Sequence, residues 1–98
     1  MTTRNEVMAQ WAAVLSELRA LFTRDPRTKP ELRAWVEDSI SLSRRISSSG
    51  EVCNKVEEVA WHYLADADIR VKCPEYAEVQ RADFEGWLRE EEARLAKD

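Results

Sequence analysis

Met8, Trp11, Leu15, Leu18 and Phe22 follow one another at intervals of three, four, three and four residues. That rhythm puts all five on one side of an α-helix, where a strand would alternate them between two faces. Val7, Val14 and Leu21 widen the stripe, and Thr3 stands three residues before Glu6, the spacing of a capping box. The chain therefore opens with a helix over about 3–23.

The same rhythm predicts the remaining elements. TRDPRTKP at 23–30 carries two prolines and stops the first helix. A second helix follows over about 29–48, with Pro30 suited to a first helical turn. Leu32, Trp35, Val36, Ser39, Ile40, Leu42 and Ile46 form its apolar stripe, with Ser39 a small gap. Arg44 and Arg45 complement the dipole of its last turn. SSSG at 47–50 offers a stop, with Gly50 available for a left-handed cap. A third helix over about 51–68, capped by Ser48 or Ser49, buries Val52, Val56, Val59, Ala60, Tyr63, Leu64 and Ala67. A fourth over about 75–96 carries Tyr76, Val79, Phe84, Trp87, Leu88 and Leu95, and Asp83 and Gly86 predict a break near Ala82–Asp83. Short connections make consecutive helices antiparallel neighbours. The predicted fold is all-α, an antiparallel up-down four-helix bundle forming one domain over residues 1–98. Two glycines and three prolines leave few turns for a many-stranded alternative.

Each predicted helix receives one tryptophan: Trp11, Trp35, Trp61 and Trp87. The residues that follow them (AAVL, VEDS, HYLA, LREE) do not match, so the even spacing reflects helix length and not duplication. Trp61 lies off the Val56–Tyr63 face and Trp87 sits in an acidic helix, which makes both candidate exposed anchors for a partner.

Composition narrows the function classes. A chain 44% hydrophobic and 35% charged has enough apolar material to fold and no stretch approaching the roughly 20 apolar residues of a membrane span. The beginning, MTTRNEVMAQW, carries charge where a secretory leader needs an apolar run. Cys53 and Cys73 are too few for a disulfide scaffold or a zinc cluster, and the expectation is a cytoplasmic protein with reduced thiols. Cys53 reads as a small core residue and Cys73, before a proline, as exposed. Charge is uneven: residues 1–50 hold eight Lys/Arg and six Asp/Glu, a net of +2, and residues 51–98 hold seven and thirteen, a net of −6. An acidic second half disfavours nucleic-acid backbones there and favours a partner with a basic surface.

Three constellations carry chemistry. Glu58, His62 and Asp66 at i, i+4, i+8 share one helix stripe and could bind a divalent metal or support a general base. A bundle metal site needs ligands from other helices as well, and His62 is the one histidine in the chain; salt-bridge spacing on a wet helix face explains the stripe sufficiently. Arg24, Arg27, Lys29 and Arg33 around the first turn could touch phosphates, but Asp25 and Glu31 interleave them. RRIS at 44–47 has the form of a basic-directed phosphorylation site, a pattern frequent by chance. No phosphate loop, nucleophile elbow or paired-cysteine motif occurs, so neither an enzyme nor a cofactor is expected.

IRVK at 69–72 alternates apolar and basic residues, as an extended linker would, with Ile69 and Val71 packing over the bundle end. The connection from Asp68 to Pro74 is the predicted recognition segment. The expected function is a small acidic, non-enzymatic protein-interaction module, in its sharper form an inhibitor or adaptor engaging a basic surface. Its expected contacts are Trp61, Asp66, Asp68, Arg70, Lys72 and Tyr76, together with Trp87, Glu90 and Glu91 on the last helix. A homodimer is a second partner expectation, because four tryptophans in so short a chain can leave apolar area uncovered.

Overall fold

A computed structural model describes residues 3–97. It contains six helices: α1 (Arg4–Thr23), α2 (Lys29–Ser47), α3 (Gly50–Lys55), α4 (Glu58–Ala65), α5 (Ala67–Lys72) and α6 (Pro74–Lys97). No strand occurs among the described residues, so the all-α expectation holds.

The first two helices start where side chains can satisfy their free amides. Thr3 accepts from the Glu6 amide and the Glu6 carboxylate accepts from the Thr3 amide. Thr28 and Glu31 repeat the arrangement at the head of α2. Each box occupies two otherwise orphaned donors. Between them the turn buries Pro26 and directs Asp25 inward.

The predicted third helix is three pieces. Val56 is extended (φ −83°, ψ 115°), Asp66 sits off helical geometry (φ −102°, ψ 18°), and Cys73 is extended (φ −129°, ψ 95°). Pro74 forces the last of these by clashing with a helical residue before it. Glu57 and Glu58 favour the break at Val56, because paired carboxylates are stabilised at a new helix N-terminus. The expected linker IRVK is helix α5. Three local expectations also fail: α6 runs unbroken through Ala82–Asp83, Gly50 begins α3 without a left-handed φ, and Ser49 caps α3 without a side-chain bond.

α1 packs against α2 and α6, and the α3–α5 run fills the opposite side, α3 reaching α1 and α2 while α4 and α5 bridge α2 and α6. Two exposed ion pairs mark α2 as antiparallel to α1: Glu17 meets Arg45, and Arg24 meets Asp38. α6 also runs antiparallel to α1, with Phe22 near Phe84 and Trp11 near Trp87. Arg19 clamps this pair, reaching Glu85 at 3.0 Å and Glu92 at 2.6 Å. The bond to Glu92 leads in raising the Arg19 pKa above its usual value.

The core is an aromatic ladder. Tyr63 stacks on Phe84 with centroids 4.1 Å apart, Trp35 meets the edge of Tyr63 at 5.7 Å, and Trp11 meets Trp87 at 6.2 Å in a T-shape. Offset and edge-on pairs of this kind add to plain area burial. Leu15, Leu18, Leu42, Ile46, Val52 and Leu88 fill the spaces around the ladder.

Candidate functional site

Arg70 is the residue that least fits a surface helix. Its side chain is fully buried, 0% exposed, beside Asp25 at 5%. The Arg70 Nε donates to Asp25 Oδ1 at 3.0 Å, and Nη1 donates to Gln80 Oε1 at 2.7 Å and to the Tyr63 carbonyl. The guanidinium carbon Cζ lies 3.9 Å from the Tyr63 ring centroid and 5.1 Å from that of Trp35. Tyr63 Oη donates to the same Asp25 oxygen at 2.6 Å. Burial, and then the bond to Asp25, push the Tyr63 hydroxyl far above its usual pKa, so it acts as a fixed donor.

The network continues outward. Gln80 donates to Asp66 Oδ2 at 2.9 Å, and Tyr76 Oη donates to that oxygen at 2.7 Å. The Tyr76 bond is the main reason the Asp66 carboxyl lies below its ordinary range. Arg81 Nε approaches Asp25 Oδ2 at 3.4 Å, outside hydrogen-bond geometry. Two guanidinium groups thus share one buried carboxylate, joining the α1–α2 turn, α4, α5 and α6. The pairing of Arg70 with Asp25 ties four elements together, while Asp25 Oδ2, Arg70 Nη2 and Arg81 Nε stay buried without a hydrogen-bond partner.

The residues expected to contact a partner separate into two sets. Arg70 and Trp87 are corrected: both are buried, Trp87 beneath Trp11 and Phe84. Asp66 and Tyr76 are tied to each other, while Asp68, Lys72 and Glu90 are exposed. The acidic run on α6 is dispersed, since Glu92 binds Arg19 and Glu91, half-buried, binds Arg94. Cys53 is half-buried and Cys73 exposed. Glu58 and His62 face solvent while Asp66 is turned to Tyr76, and no group of three His, Cys, Asp or Glu side chains among the described residues is placed to hold a metal ion.

Tyr76 is 39% exposed but bonded to Asp66, and Trp61 is the tryptophan that reaches the surface. It is half-buried and lies with Leu64 and Ala65 along a groove of about 630 Å³ between α4 and α2. The α2 wall carries Ile40, Ser43, Arg44 and Ser47. Ser39 forms part of the floor and donates to the Leu64 carbonyl at 3.2 Å, which lets the two helices approach closely. Ile40 is 47% exposed, although its place in the α2 apolar stripe predicts burial. Helix spacing sets Glu37 one turn before Ile40 and Glu58 one turn before Trp61, both exposed.

Ile40 and Asp25 join Arg70 and Trp87 among the residues that the sequence misplaces. A stripe wider than its neighbour can cover is the available signal for Ile40. Asp25, inside a polar turn, carries none. Comparisons with protein-family models, with curated proteins and with solved structures return no match.

Proposed function

We propose that the protein is a small non-enzymatic interaction module whose Ile40–Trp61 groove receives an apolar side chain from an amphipathic segment of a partner protein. The supporting observation is the pairing of a half-buried tryptophan with a 47%-exposed isoleucine across an open, mostly carbon-lined groove. Tryptophan at such a position is a favoured binding anchor, and helix-in-groove recognition needs a concave apolar strip of this kind. Glu37 and Glu58, exposed one helical turn from Ile40 and Trp61, favour a basic flank on the partner, while Arg44 is the one charged residue in the lining. An inhibitor or adaptor role is the version of this reading in which the groove masks a basic surface of the partner.

The test is capture from the native host with wild type and with Ile40→Glu. The reading expects a partner retained by wild type and lost by the variant, with helical content unchanged by circular dichroism. Retention of the same partners by both would remove the groove from the interaction. Light scattering separates a second copy from a foreign partner, since a homodimer would double the mass of wild type and not of Ile40→Glu.

A further inference from the structure

A second cleft, sharing no lining residue with the groove and of about 700 Å³, opens between the end of α1, the α1–α2 turn, α2 and α6. Arg19, Arg24, Arg27 and Arg81 line it, with Asp25 and Glu31 as its carboxylates. Four cations line it against two anions, and Glu85, Glu92 and Asp38 just outside the lining hold Arg19 and Arg24, which leaves Arg27 and Arg81 as the less engaged pair. Both carboxylates are already engaged within the fold. Asp25 Oδ1 accepts from Tyr63 and Arg70, and Glu31 Oε1 accepts from the Arg27 and Thr28 amides and the Thr28 hydroxyl.

The arginines are unequally occupied. Arg19 commits Nε, Nη1 and Nη2 to Glu85 and Glu92, whereas Arg24 holds Asp38 through Nη2 alone. Arg27 has no ion pair among the described residues. Arg81 turns its Nε into the fold beside Asp25, and its two Nη nitrogens make no hydrogen bond among the described residues. Unfilled guanidinium donors converging from the turn and from α6 suit the geometry of a tetrahedral oxyanion. Phe22 and Trp35 supply apolar wall behind them, so water competes less well than at a flat surface.

We infer that this cleft binds the phosphate group of a phosphorylated small molecule, with Arg27 and Arg81 as its principal contacts and Arg24 as a third. The proposal is independent of the groove. An extended nucleic acid would need a row of cations, and Lys29 and Arg33 lie outside the cleft lining.

The probe is inorganic pyrophosphate, titrated into the intact protein at low salt while the arginine Nε–Hε resonances are followed by NMR. Sodium chloride at matched ionic strength is the control for screening. The expected result is a saturable shift of the Arg27 and Arg81 signals by pyrophosphate, weakened at least about tenfold in Arg27→Gln, a loss of about 1.4 kcal/mol. Arg27 is exposed, so this variant keeps the fold. Arg33→Gln should bind as wild type. Shifts that chloride reproduces, or that survive Arg27→Gln unchanged, would overturn the site. Equal weakening by Arg33→Gln would replace it with a diffuse polyanion surface.

Discussion

At the scale of single residues, the molecule turns on one long-range pairing. Asp25 and Arg70 are 45 positions apart, and each is buried because the other is. Removing Arg70 leaves the buried Asp25 to Arg81 alone, outside hydrogen-bond geometry, so Arg70→Met should cost about 3–5 kcal/mol, read as a lower urea midpoint. Arg70→Lys keeps the charge but cannot reach Asp25, Gln80 and the Tyr63 carbonyl together, and should still cost about 1–3 kcal/mol. A loss below about 1 kcal/mol for both would mean the pair contributes only packing. The sequence around Arg70 points the other way. IRVK suggests Ile69 and Val71 inside with Arg70 in water, whereas Arg70 is buried and Ile69 is 43% exposed. No local pattern reports a counter-ion folded in from another turn, so this inversion was not legible.

Asp66 gives the network a pH signature. Its folded pKa lies below the ordinary value of 3.8, chiefly through Tyr76. A depressed carboxylate contributes stability that is present above the unfolded pKa and is lost as pH falls through the folded one. Tyr76→Phe should therefore destabilise at neutral pH, and the gap to wild type should close as the pH drops below 3.8. Urea unfolding across that range measures the gap. A gap constant with pH would assign the effect of Tyr76 to packing.

At the scale of elements, the legible features were those written in adjacent residues. The Thr3–Glu6 spacing and the prolines at 26, 30 and 74 gave the boundaries around α1, α2 and α6. The division of residues 50–72 was not legible, because Val52, Val56, Ala60, Tyr63, Leu64 and Ala67 keep a helical rhythm across both breaks. That rhythm records one continuous buried side and says nothing of where the backbone pauses along it. Gly86 shows the converse error. A glycine suggested an interruption in α6, yet the helix passes through it, and a Cβ there would meet nothing within 4 Å. Gly86→Ala should stabilise the protein by about 0.5–1 kcal/mol, seen as a higher thermal midpoint. A lower midpoint would show that the outer face of α6 is covered in solution.

At the scale of the whole molecule, half-chain charge proved a poor guide to surface. Of the three consecutive glutamates on α6, Glu92 holds Arg19 and Glu91 holds Arg94, leaving Glu90 as the freely exposed one. Reversing Glu92 would break the α1–α6 clamp and confuse binding with stability. The tryptophans divide just as unevenly: Trp11, Trp35 and Trp87 are core, and Trp61 alone reaches the surface, beside Ile40. The candidate groove was half legible, since Trp61 stands off its helix face in sequence while Ile40 reads as core. What the stripe on α2 could not reveal is that α4 packs at Ser39 and leaves the neighbouring Ile40 uncovered.

Site-specific photo-crosslinking tests the groove directly. A benzophenone side chain at position 40 should join the protein to a partner in the native host, and the same group at the exposed Ala93 on α6 should not. Adducts of equal yield from both positions, or adducts from position 93 alone, would contradict a docking role for the Ile40–Trp61 groove.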